Sequence, residues 1–123
     1  MSERTTYAIV YAGTGNILLN RVVGSSGSYI TQATTSTITC AVDDMTTGMA
    51  VSVITPAIVV ATAIYDQLQT GALWESKDAT GYNFYHAMPA TAFPTAGRLY
   101  RVIYTFTPTS GAVYTLRYFC TAA

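Results

Sequence analysis

LYRVIYTFTPTSGAVYTLRYFC, residues 99–120, decides the fold. At period two, the arm Leu99–Thr107 sets Tyr100, Val102, Tyr104 and Phe106 on one face. The arm Val113–Cys120 does the same with Tyr114, Leu116, Tyr118 and Cys120. Between them, Pro108 early and Gly111 late supply the chemistry of a short hairpin loop. Pairing Thr107 with Val113 puts Phe106 against Tyr114, Tyr104 against Leu116 and Val102 against Tyr118. Aromatic and β-branched pairs of this kind stabilise a sheet. A slip of one residue turns the whole apolar set to the wrong face, so the register is well specified.

Outward from the hairpin, the chain reads as more strands. Thr6–Tyr11 alternates, the run AGTGN (Ala12–Asn16) turns, and Ile17–Val23 returns, which reads as a hairpin. Gly13-Thr14-Gly15 lacks the further Gly, the Lys and the helix of a phosphate loop. Val23–Ser28 is a Gly/Ser loop. Ser36–Val42 turns Ile38, Cys40 and Val42 inward and Thr37, Thr39 and Ala41 outward. Asp43–Gly48 follows as a solvated turn with Asx chemistry. Its two aspartates fall short of the six or more oxygens that Ca²⁺ takes.

Met49–Ile54 and Ala57–Tyr65 are expected as strands separated at Pro56. The uncharged run Met45–Tyr65 carries that proline, Gly48 and five Ser/Thr residues, so it reads as buried strands and not as a membrane span. Asp66–Ala79 is the least periodic segment. There, Leu68, Leu73 and Trp74 are expected to plug one end of the fold, with Glu75, Lys77 and Asp78 as a solvated rim. Gly81–Met88 is a strand with Tyr82, Phe84, His86 and Met88 on one face, and Pro89–Gly97 connects it to the hairpin. Seven or eight short strands with frequent turn signals and no helical period predict an all-β chain. The expected form is an antiparallel β-sandwich, with closure into a jelly roll or barrel as the alternative.

The 123 residues make one domain, 1–123, with residues 1–5 expected as a loose N-terminal arm. Half the residues are hydrophobic and 10% are charged, against about 25% in soluble domains. Six basic residues balance six acidic ones, so no charge field is available for nucleic acid or an anionic membrane. Such a surface tends to associate, and the chain reads as a subunit of something larger. The opening MSERTTYAIV has two early charges and no apolar core after them, unlike a secretory leader. Cys40 and Cys120, the only cysteines, fall on core parity and read as two free buried thiols, with a disulfide between them as the alternative.

Catalysis finds little footing. The single histidine, His86, sits on the inward face between Phe84 and Met88 and reads as a core residue with a backbone partner. No His or Cys spacing suits zinc, and no two carboxylates are placed for glycoside hydrolysis. No enzyme activity, metal or cofactor is expected. The stronger lead is the outward face of the hairpin, where Ile103 lies across from Arg117 and Arg101 across from Phe119. Together with Tyr85, which faces solvent on its own strand, these residues are the candidate subunit interface. Mixed aromatic, aliphatic and arginine side chains are the composition of protein contacts. The competing reading is that arginine stems merely cover two isolated apolar side chains.

The stretch from Tyr29 to Ala122 resembles small bacteriophage-encoded proteins of immunoglobulin-like β-sandwich type. The residues behind this are Tyr65-Asp66 with Leu68-Gln69-Thr70, Trp74, Asp78, Gly81-Tyr82-Asn83-Phe84, His86, Phe93-Pro94 and Tyr100-Arg101-Val102. Phe106-Thr107-Pro108 with Ser110-Gly111 completes the set. The resemblance implies a virion structural protein assembled in the host cytoplasm. Its expected role is a decoration or cement subunit on the major capsid protein, in a homo-oligomer such as a dimer or trimer. A neck or tail position and a host-surface carbohydrate-binding module are the alternatives.

Overall fold

In the computed structural model, residues 3–24, 27–53, 58–71, 74 and 79–123 are described. They form β1 (Glu3–Val10), β2 (Asn16–Asn20), β3 (Thr35–Asp44), β4 (Met49–Val53), α1 (Val60–Ala63), β5 (Ile64–Gln69), β6 (Tyr82–Met88), β7 (Leu99–Pro108) and β8 (Tyr114–Ala122). Five strands make one sheet in the order β1-β8-β7-β3-β4, and three make the other, β2-β6-β5. The all-β expectation holds.

The β7–β8 ladder has the register read from the sequence: Phe106 pairs with Tyr114, Tyr104 with Leu116 and Val102 with Tyr118. The inward stripes of both strands are buried, as are Ile38, Cys40 and Val42 of β3. Opposite them, Phe84 of β6 meets Tyr104 and Phe106 edge-on, with ring centroids at 4.8 and 5.4 Å. Edge-to-face contact suits the ring quadrupoles and closes the core between the sheets. Cys40 and Cys120 are both buried and free.

With no disulfide between the sheets, polar side chains fasten them. The Tyr118 hydroxyl donates to the Leu19 carbonyl at 2.8 Å, and Tyr104 Oη lies 2.7 Å from His86 Nδ1. Asn20 Nδ2 donates to Thr6 Oγ1 at 2.9 Å. Within the smaller sheet, buried Asn83 accepts from the Val22 amide at 2.7 Å and donates to the Val22 carbonyl at 3.0 Å. Its amide extends the β2–β6 ladder past Asn20, where the strand itself has ended. Gly81 precedes β6 at φ +104°, and a Cβ there would stand 2.4 Å from the Gln69 carbonyl oxygen, so only glycine lets β5 and β6 approach.

Several expectations are corrected. The strand pairs are not all antiparallel, because β1 runs parallel to β8, Tyr7 beside Phe119. Residues 3–5 are not a loose arm but the start of that strand. Nor do β1 and β2 form a hairpin. Asn16 takes both backbone groups of Tyr11 with its side chain, Oδ1 accepting from the amide and Nδ2 donating to the carbonyl. A hairpin partner has nothing left to pair with there, and the turn carries the chain into the other sheet.

β3 continues through Asp43 and Asp44, which are ion-paired, the first half-buried and the second buried: Arg101 holds Asp43 at 2.9 Å and Arg98 holds Asp44 at 2.8 Å. The Asx chemistry is present, since Asp44 Oδ1 accepts from the amides of Thr46 and Thr47. The segment expected as a strand up to Tyr65 contains the single turn α1, then β5 from Ile64. Ala61 and Thr62 stay exposed there while Ala63 and Ile64 are buried, a pattern too short to show a helical period. Trp74 is buried against Tyr82, ring centroids 5.5 Å apart, as a plug should be. Leu73, Glu75, Lys77, Asp78, Ile54 and Pro56 lie outside the described residues. No helix among the described residues is long and apolar enough to cross a membrane.

Candidate subunit interface

The outward side chains of the larger sheet line up in rows across it. One row runs Tyr7, Phe119, Arg101, Asp43 over β1, β8, β7 and β3; the next runs Thr5, Arg117, Ile103, Ala41. The cross-strand pairs Ile103–Arg117 and Arg101–Phe119 therefore stand as the sequence indicated. All four side chains are half-buried. The Arg117 guanidinium lies 6.0 Å from the centre of the Phe119 ring, within cation–π reach. Tyr7 stacks on the other flank of Phe119, with centroids 5.8 Å apart and planes 22° from parallel. The aromatic row continues past Phe119 to Tyr7, which is 78% exposed.

Tyr85 does not join this surface. It lies on β6 opposite Leu19, in the other sheet. There it borders a hollow of about 240 Å³ with Ile58, Val59, Thr62, Ala63, His86 and Ala87. The strand bearing Tyr85 and the hairpin face belong to different sheets, so they do not make one contact.

Sequence reading missed the contribution of β1. Ile9 is 74% exposed and Tyr11 63%. The alternation Tyr7, Ile9, Tyr11 was visible, but which face it served depended on the parallel partner, which no local signal announced. Between β1 and β2 runs a groove of about 540 Å³, lined by Thr6, Tyr7, Ile9, Ile17, Leu19 and Tyr118 among others.

His86 is not backbone-bonded as expected. Its partner is the Tyr104 hydroxyl, which also lies 3.5 Å from Met88 Sδ. Burial lowers the imidazole pKa to about 4, so the ring is neutral at pH 7. Burial pushes the Cys40 and Cys120 thiols up to about 12, which leaves them protonated and unreactive. For Asp44, burial acts upward, but the Arg98 guanidinium and the Thr47 and Thr46 amides outweigh it and hold the carboxyl below the ordinary value. Among the described residues, no three His, Cys, Asp or Glu side chains gather as a metal site would need.

No protein-family model matches the chain, and no curated protein does.

Proposed function

We propose that this protein is a noncatalytic structural subunit of a bacteriophage virion, a decoration or cement protein bound to the major capsid protein. The observation that carries the reading is the row Tyr7, Phe119, Arg101, with Arg117 and Ile103 beside it, on the outer face of the larger sheet. A lone sandwich in water normally sets Thr, Lys and Glu there. Aromatic and arginine side chains, half-desolvated before any partner arrives, have the make-up of a contact surface.

The fold is proposed to be immunoglobulin-like. The order β8-β7-β3 against β2-β6-β5 follows the G-F-C and B-E-D order of that fold. Tyr100, at the start of β7, turns its hydroxyl back five residues, where it accepts from the Thr95 amide and donates to the Thr95 carbonyl at 3.0 and 3.2 Å. That is the geometry of a tyrosine corner.

The test is the protein content of purified virions. Copy numbers comparable to the major capsid protein are expected. A few copies per particle move the subunit to neck or tail, and absence from particles overturns the reading. A carbohydrate-binding role is the second reading, favoured by the exposed rings of Tyr7, Tyr11 and Tyr29. Binding on a glycan array would support it over the first.

A further inference from the structure

The larger sheet ends on one side at β1, whose outer edge pairs with no strand among the described residues. Hydrogen bonds at the end of the strand show which backbone groups are free. Ala123 donates to the Val10 carbonyl and accepts from the Ala12 amide, so the even-numbered residues turn their backbone groups towards β8. By strand alternation, Glu3, Thr5, Tyr7 and Ile9 turn theirs away from it. Tyr11 would extend this series, but Asn16 already occupies its amide and carbonyl. Four consecutive outward positions therefore stand open and a fifth is closed.

Edges of this kind are usually blunted by lysine, proline, a bulge or shortness. The strand's two charges, Glu3 and Arg4, stand at its start, and residues 5–11, TTYAIVY, contain no charge, no proline and no glycine. The opposite edge of the same sheet, β4, has five residues and meets β3 through a bulge at Val42/Asp43. The β4 edge is thus the shorter and more irregular of the two, and the β1 edge the longer.

We propose that a second copy of this chain pairs with β1 antiparallel across a two-fold axis at Tyr7. This register pairs the uncharged open positions among themselves, whereas an axis at Thr6 would set Glu3 against Ile9. Tyr7 faces its own mate, and Thr5 faces Ile9 twice, giving six backbone hydrogen bonds. The two five-stranded sheets become one of ten strands. The aromatic row continues through the axis, Phe119 and Tyr7 of one copy followed by the partner's Tyr7 and the partner's Phe119. Tyr7, Ile9 and Tyr11 expose 78%, 74% and 63% of their surface, on the order of 400 Å² together. Pairing covers the flank that each side chain turns to the open edge and not its whole exposed surface. With the paired backbones the contact stays below about 1,000 Å², so the dimer is a weak, reversible one. An isologous pairing closes on itself, so the open edge yields a dimer and not a fibre. This deepens the assembly reading and rests on it, but it concerns contact between copies and not contact with a capsid.

The experiment is sedimentation of the purified full chain, with no particles present, beside a separate capsid-binding assay. Wild type is expected to sediment as a dimer. Tyr7→Lys and Tyr7→Glu each place like charges across the axis and are expected to sediment as folded monomers, since the side chain is exposed. Their equimolar mixture is expected to regain the dimer, because lysine then faces glutamate. Thr5→Pro removes one outward amide per copy without touching the β1–β8 ladder, and should weaken the dimer about ten- to a hundredfold. Amide exchange at Tyr7 and Ile9, slow in the dimer, becomes fast in each monomeric variant. A monomeric wild type, or a dimer indifferent to all three substitutions, overturns the pairing. Protection of these amides only when capsids are added also overturns it and assigns the edge to a strand from another protein. Failure of capsid binding with the dimer intact would overturn the virion reading and leave the pairing standing.

Discussion

The two faces of the β7–β8 hairpin alternate residue by residue and have opposite jobs. On the inner face, Tyr100, Val102, Tyr104 and Phe106 have no solvent exposure, and Tyr114, Leu116, Tyr118 and Cys120 have 3% or less. On the outer face, Arg101, Ile103, Arg117 and Phe119 are half-buried. The inner stripe is bound to a second sheet, so each side chain there contributes to stability. The outer stripe meets no second layer of the described chain, and its apolar and aromatic character is proposed to serve association. If this division is right, substitutions on the two faces should differ in what they damage.

The largest effect is expected at Phe106, which has ring contacts with Phe84 and, stacked at 5.1 Å, with Tyr114. Phe106→Ala leaves a cavity between the sheets and should cost about 3–5 kcal/mol of unfolding free energy in urea titrations. Ile103→Ala, three residues away on the outer face, should cost less than about 1 kcal/mol. Equal costs would abolish the distinction between the faces.

Next comes the pH dependence of the inner polar contacts. The folded pKa of His86, about 4, lies below the ordinary 6.5. The unfolded chain therefore binds the proton first as pH falls. The stability associated with the neutral ring is complete above pH 6.5 and declines as pH falls to about 4, by about 3 kcal/mol in total. His86→Gln should flatten thermal stability across that window. Asp44 acts lower: its contribution is present above the ordinary carboxylate pKa and is lost as pH falls through the depressed one. Asp44→Asn should leave the slope between pH 6.5 and 4 intact, a contrast that separates the two groups.

A smaller effect is expected at Tyr118. Its ring is buried in the core, but its hydroxyl reaches the carbonyl of Leu19, a half-buried residue to which water has access. Tyr118→Phe keeps the packing and loses one hydrogen bond, so chemical denaturation should show a loss of about 1 kcal/mol. A loss of 3 kcal/mol or more, on the order of a large core truncation, would mean that the hydroxyl and not the ring holds the sheets together.

How far these contrasts were legible in the sequence follows from the range of the interactions. The hairpin register needed only period two and a turn, so Phe106–Tyr114 and Ile103–Arg117 were readable from residues 99–120. The inward set of β3 was readable for the same reason. The parallel partner of β1 was not, because Tyr7 and Phe119 are separated by nearly the whole chain and nothing local distinguishes a parallel edge from a hairpin arm. Asn16 looked like an ordinary turn residue, yet its amide is what keeps β2 from pairing with β1. Asn83 and the His86–Tyr104 contact escaped for a related reason: alternation assigns a side chain to a face but does not name the group across the core. Tyr85 shows the limit of parity most plainly. Facing outward on its own strand did not put it beside Phe119, because there are two outsides.

The smallest effect on stability should come from the double substitution Ile103→Thr with Phe119→Ser. Both side chains lie on the outer face, and neither belongs to the core cluster. Threonine keeps the β-branch that suits a strand, while serine gives up the stack with Tyr7 and the contact with the Arg117 guanidinium. Those contacts are half-exposed, so their loss should cost about 1 kcal/mol or less in thermal unfolding. Association should respond much more. Full burial of each apolar side chain in a contact contributes about 1.5–3 kcal/mol, enough to decide a modest interface. The double variant is therefore expected to melt close to wild type while losing capsid binding in a pull-down. A variant that binds capsids like wild type would make the outer row ordinary surface. A variant that unfolds would make it part of the core, and the two faces of the hairpin would no longer have separate jobs.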